Sequence, residues 1–124
     1  MPSISFETVR ALAKAFPDLE ESTMYGAPAI KLGKRMVACI PSHRSAEPNS
    51  LAVRTTFDQR DALLSEAPET YYIKEHYRNY PVVLVRFAAI HRDQLRDLLT
   101  AARLCVLAGV KPSPTTKRAT RRIP

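Results

Sequence analysis

Two short stretches of this 124-residue chain carry side chains whose types and spacing could do chemistry. "YYIKEHYRNYP", residues 71–81, sets four of the five tyrosines around Lys74, His76 and Arg78. Cations interleaved with aromatics can hold a polyanion. Lys74, His76, Arg78 and Asn79 offer donors to phosphate, and Tyr77 offers a ring to sugar or base. "KLGKR", residues 31–35, gathers Lys31, Lys34 and Arg35 around Gly33, where three cations and backbone N–H groups can meet one phosphate. Both stretches also have a plain structural reading. Half-buried tyrosines are common in sheets, and charges at an exposed turn keep a sheet edge soluble. Tyr71 and Tyr72 alternate faces on a strand, so one of them belongs to the core, and Tyr80 packs at the entrance to the strand that Pro81 opens.

The parts of an enzyme are missing from the pattern. There is no GxSxG, P-loop, GxGxxG or HExxH, and the acids Glu20, Glu21, Glu66, Glu69 and Glu75 follow no spacing. No catalytic residue, metal ligand or cofactor is expected. Cys39 and Cys105 sit far apart in the apolar runs "MVACI" and "ARLCVL". Both read as buried, reduced core residues, with no zinc spacing. His43, in a Pro-bounded polar loop, and His91, just before the last helix, read as lone structural histidines. Arg96 and Arg103, with Asp93, Asp97 and Asp61 nearby, read as solvated surface.

The charge of +7 is unevenly placed. From Lys111 onward there are five basic residues and no acid, leaving a net +2 over residues 1–110. Most of the basic character therefore belongs to "KPSPTTKRATRRIP", which has almost no apolar content and reads as a disordered tail. Its Lys117, Arg118, Arg121 and Arg122 would attract any polyanion. A hydrophobic fraction of 45% with 25% charged residues is ordinary globular composition. No stretch approaches a membrane span, and the start lacks the basic-then-apolar order of a secretory signal. A cytoplasmic protein with no membrane partner is expected, folded over residues 1–110 as one domain, with its oligomeric state open.

The elements that must position the two basic stretches follow from periodicity. Ser5 is an N-cap before apolar residues at helical spacing, and Pro17 ends that helix, giving 5–16. Short strands follow near 22–25, 29–32 and 35–40, with Gly33-Lys34 a tight hairpin turn. A polar loop at 41–50 leads to the strand "LAVRTT". Thr56-x-x-Gln59 is a capping box that opens a helix over 57–67. "TYYIK" and "YPVVLVRFAAI" are the last two strands, joined by "EHYRN", and the run Val82–Val85 implies burial on both sides. Leu95, Leu98, Leu99, Ala102, Cys105 and Val106 mark one stripe of a final helix over 92–107, with Gly109 at its C′ position. The order predicts an α+β fold, a mainly antiparallel sheet with three helices packed against it.

This order resembles the MmcQ/YjbR-like family. "FPDLEESTMYGAPAIKLGKRMVACI" is similar to the family's leading block of Pro, acidic pair, Tyr-Gly-x-Pro and Lys-bearing hairpin. "TTFDQRDALL" is similar to its capped second helix, and "TYYIKEHYRNYPVVLVRF" with the last helix to its terminal hairpin and helix. Together they cover about residues 5–108. One branch of the family carries Met-Asn-Lys-x-His-Trp where "KEHYRNYP" stands here, and this chain has no Trp. The resemblance implies a two-layer domain like the type III secretion chaperones. It also implies DNA binding through a double wing, two hairpin loops that embrace a duplex. The competing expectation is an adaptor or chaperone-like module that holds protein or peptide and no nucleic acid.

Overall fold

Ser5 caps the first helix, α1 (Phe6–Ala13), in the computed structural model, which describes residues 4–109. The expected basic tail, with Lys117, Arg118, Arg121 and Arg122, lies outside the described residues. The helix stops at Ala13, a turn short of the expected end at 16. Lys14 to Phe16 form tighter turns instead, with Phe16 N–H bonded to Ala13 O at 3.0 Å. Pro17 bars residue 16 from the α region, and the break starts upstream of it.

Four strands follow: β1 (Glu20–Met24), β2 (Ala27–Leu32), β3 (Arg35–Cys39) and β4 (Ser50–Arg54). Then come α2 (Phe57–Glu66), β5 (Tyr71–Tyr72), one 3₁₀ turn at Glu75–Tyr77, β6 (Val82–Arg86) and α3 (Arg92–Gly109). Thr56 and Gln59 cap α2 reciprocally at 3.0 and 3.1 Å, as their spacing predicts. Every pairing is antiparallel, in the order β1-β2-β3-β4-β6-β5. The fold is α+β with three helices, as expected. The terminal hairpin differs from expectation, because β5 has only two residues and the connection to β6 runs over residues 73–81.

The helices cover one face of the sheet. Val9 and Leu12 of α1 and Leu95, Leu98, Leu99, Ala102 and Val106 of α3 join Ile30, Leu51, Val53, Val83 and Val85 in the larger core. The other face holds a smaller core of Ala29, Met36, Cys39, Ala52, Tyr72, Val82 and Leu84, with Ala46 and Tyr77 packed on it from loops. Both faces being covered explains the unbroken apolar run of β6, all of it buried from Val82 to Val85. It also corrects the reading of Tyr71 and Tyr72. Both are buried, Tyr71 under the helices and Tyr72 on the opposite face.

Four other expectations change. Tyr80 is 55% exposed rather than packed. Cys105 sits on the shoulder of the α3 stripe, half-buried, with its thiol donating to Gln59 Oε1 at 3.2 Å, whereas Cys39 is buried. Gly109 is itself helical, within α3 and not the position beyond it. Arg103 is no solvated side chain. It grips Asp18 with two bonds of 2.8 Å and lies over the Phe16 ring, tying α3 to the turn after α1. Arg96 stays exposed beside Asp93 and Asp97. Among the described residues, no helix is long and apolar enough to cross a membrane.

One irregularity shapes the sheet. Ile30 pairs with Ala38 and Lys31 with Met36, so Val37 has no partner on β2. This is a β-bulge. Val37 and Ala38 both enter the helix-side core, while Met36 and Cys39 flank them on the other face. The pairing of β3 with β4 covers only Ala38↔Val53 and Cys39↔Ala52. Beyond the bulge, Arg35 and Met36 pair with β2 alone and not with β4.

The β1–β2 turn stores strain. Tyr25 and Gly26 have φ of 54° and 81°, the pattern of a type I′ turn, and Tyr25 is 86% exposed. Asn tolerates this backbone far better than a bulky aromatic residue. Tyr25→Asn should stabilise the fold by about 1 kcal/mol in chemical denaturation. A loss of stability would show that the Tyr25 ring packs in solution.

Candidate nucleic-acid interface

The register brings the two basic stretches to one end of the sheet. Arg54, the last residue of β4, pairs with Val82, the first of β6, and Thr55 N–H reaches Pro81 O at 2.8 Å. Because β3 runs antiparallel to β4, its starting residue Arg35 lies at the same end. The Gly33-Lys34 turn and the end of the 73–81 connection therefore emerge together, on either side of the strand that leads into α2. Gly33 takes φ of 64°, the conformation its place in the turn requires. Lys34 and Arg35 are exposed, and neither makes an ion pair among the described residues. Lys31 stands one step back, half-buried, and its charge bears on Cys39 across the smaller core.

The second stretch is not a free hairpin. Arg60 of α2 is 9% exposed and donates from one nitrogen to Arg78 O at 3.0 Å and Tyr80 O at 2.8 Å. Its guanidinium rests over the Phe57 ring. This clamp leaves the Arg78 and Asn79 side chains exposed at the wing end, with Arg78 3.1 Å from Glu75. The residues before them fold back over the smaller core. Lys74 lies over the ring of Tyr72, and Tyr77 is half-buried in that core. His76 stacks flat on His43, with ring centroids 3.6 Å apart and planes 10° apart. His43 is thus no lone histidine, since it joins the 41–49 loop to the 73–81 loop across the sheet.

The 41–49 loop has its own anchors. Tyr72 Oη accepts the Glu47 N–H at 2.8 Å and lies 2.6 Å from Ser50 Oγ. Arg86 forms a two-pronged pair with Glu47 at 2.9 and 2.8 Å and covers the Tyr72 ring. That guanidinium holds the Glu47 carboxyl below its ordinary range. The structure therefore divides the sequence-derived set. Lys34, Arg35, Arg78 and Asn79 share one exposed end, while Lys74, His76 and Tyr77 turn onto the face of the sheet.

Between the β1–β2 turn, β3 and β4 on one side and the 76–82 segment on the other lies a cavity of about 250 Å³. Met36, Cys39, Ala52 and Val82 form its floor, and Tyr25, Tyr77 and Tyr80 stand around it. Burial pushes the Cys39 thiol up to about 11, against the pull of Lys31, so it is protonated at neutral pH. Arg54 lines the cavity, and its Nε is buried without a hydrogen-bond partner among the described residues. Arg54, Arg60 and Tyr25 were not among the candidate residues read from sequence, and His43 was read only as a lone structural histidine. Arg54 had one visible signal, its position in phase with Ala52 at the end of a buried strand.

The histidine stack should respond to acid. Ser45 N–H donates to His43 Nδ1 at 3.1 Å, which fits a neutral ring with its proton on Nε2. Burial, then His76 and Arg44, hold His43 below its ordinary 6.5. A depressed value means that the unfolded chain binds the proton first. The contribution of the stack is complete above pH 6.5 and is lost as pH falls through the lower, folded value. In an NMR titration His43 should have its midpoint below 6.5, and His76→Ala should raise it. An unshifted midpoint in the unmodified chain would show that the rings do not stack in solution.

No protein-family model and no curated protein matches the chain. Among solved structures, the chain is similar to the crystal structure of Deinococcus radiodurans protein DR2400, described by the domain family DUF419, which is the MmcQ/YjbR family. The TM-score is 0.69 at 18% sequence identity, over 90% of this chain and 86% of that one. At this identity the likeness speaks to architecture, and it agrees with the resemblance read from the three sequence blocks. The chain has the fold of an MmcQ/YjbR domain.

Proposed function

We propose that the chain binds nucleic acid through the phosphate backbone, at the end of the sheet where the β2–β3 tip and the 78–80 segment emerge together. That shared end is the observation on which the reading rests. Two strand spacings separate β3 from β6, roughly 10 Å, so cations on both turns bear on neighbouring phosphates. Lys34, Arg35, Arg78 and Asn79 make the first contacts in this reading, with Lys31 and Arg54 adding positive potential behind them. Lys74, His76 and Tyr77 hold the second wing in place instead of touching the ligand. The likeness to DR2400 and the family's double wing support the same assignment. Contacts of this kind position the protein without reading sequence.

The adaptor alternative finds less support. The large exposed apolar side chains are Phe57 on α2, Leu104 and Leu107 on α3, and Tyr25 and Tyr80 near the cavity. They are divided among α2, α3 and the cavity's edge.

Backbone binding releases counterions, so affinity should fall steeply with salt. The four cations from Lys117 to Arg122 would add attraction of their own. Truncation after Gly109 separates the two sources. The truncated chain should still bind a duplex, and Lys34→Ala should lower the magnitude of its salt slope by about one unit, as should Arg78→Ala. Lys74→Ala should leave the slope unchanged. Loss of all binding on truncation, or equal effects of Lys74→Ala and Lys34→Ala, would defeat the proposal.

A further inference from the structure

We propose that the cavity between β3, β4 and the 76–82 segment binds one planar aromatic ring carrying an anionic group, the chemistry of a nucleoside monophosphate. Three independent observations point there. The floor is apolar, from Met36, Cys39, Ala52 and Val82, and Tyr25, Tyr77 and Tyr80 offer aromatic surface around it. Planar rings are held by such surroundings through stacking and burial. Next, one guanidinium reaches the space and no carboxylate residue lines it. The alternation that turns Ala52 toward this face turns Arg54 there too, and no side-chain hydrogen bond or ion pair among the described residues engages its guanidinium, the Nε being buried behind the lining. An unengaged guanidinium at the wall of a cavity without acids is complemented by an anion. Last, the side chains around the space are held in costly arrangements. Tyr25 stands at φ of 54°, and Tyr80 is 55% exposed while Arg60 clamps its carbonyl. Neither placement is explained by core packing.

The volume, about 250 Å³, is on the scale of one mononucleotide and too small for a larger ligand. The ring lies between the tyrosines, above the methionine and valine, and the anionic group meets Arg54. Two sources supply this chemistry: a free mononucleotide, or a nucleotide that has left the stack of a strand. The proposal does not rest on the backbone-binding reading. It needs Arg54 and the tyrosines, while that reading needs Lys34, Arg35 and Arg78.

Methionine-methyl NMR on the full chain tests it, since Met24 and Met36 both line the cavity. AMP, adenosine and a short single-stranded oligonucleotide are titrated separately. AMP should shift the Met24 and Met36 methyls in a saturable manner, with adenosine at least about tenfold weaker because it lacks the charge-assisted bond to Arg54. Arg54→Gln should close that gap, and Tyr80→Ala should weaken both ligands alike. Tyr80 is exposed, so its variant keeps the test valid if Arg54→Gln fails to fold. Shifts with AMP assign the site to free mononucleotides. Shifts with the oligonucleotide alone assign it to an unstacked base, with the same ring-and-anion chemistry. If neither ligand moves either methyl, or if AMP and adenosine bind the unmodified chain equally, the proposal is overturned. Lys34→Ala should weaken the oligonucleotide and leave AMP unchanged, so this site and the phosphate-binding end can fail independently.

Discussion

A single unpaired residue, Val37, sets the geometry on which the basic end of the sheet depends. A regular strand would send Val37 and Ala38 to opposite faces. The bulge sends both under the helices, where each is fully buried. Burying a valine is worth roughly 1.5–3 kcal/mol, enough to offset the ladder bonds that the bulge disrupts. The phase of the strand is shifted beyond it. Met36 falls on the smaller core and Arg35 on the other side, and β3 stops pairing with β4. Two consequences follow together. The β2–β3 tip carries its cations past the end of the β3–β4 pairing, and Arg54, with no neighbour on the β3 side, lines the cavity.

The second face of the sheet is closed by loops, which imposes a constraint that the helix-covered face does not have. Helices satisfy their own backbone groups, whereas a loop laid over an apolar surface must find partners for its N–H and C=O groups. Here those partners are side chains reaching in from regular elements. Tyr72 of β5 takes the Glu47 N–H, and Arg60 of α2 takes two carbonyls of the 78–80 segment. Long polar side chains buried for this purpose are expensive unless bonded. The same loops thus act as lid, wing and wall of the cavity. Held by a few side-chain bonds and one ring stack, they belong to the part of the molecule that opens before the helix-side core does.

Local pattern by itself determined the elements. Caps at Ser5 and at Thr56 with Gln59, the tight turn at Gly33-Lys34, the apolar run of β6 and the stripe of α3 are all set by neighbours within a few residues, and they stand as expected. The same reasoning placed Lys34, Arg35, Arg78 and Asn79 in exposed turns, because polar residues in turns declare themselves by their flanks. Only the tertiary structure decided what surrounds those turns. His43 and His76 meet across a separation that no periodicity encodes. Arg103 finds Asp18 at the far end of the chain rather than the acids beside it. Tyr80 faces outward because Arg60 clamps its backbone, and Cys105 leaves the core because the stripe of α3 is narrower than its helical spacing suggests. Period and capping are properties of adjacent residues, so a sequence displays them. The bulge at Val37, the loop-covered face and the cavity at Arg54 arise where strands distant along the chain must satisfy two cores at once.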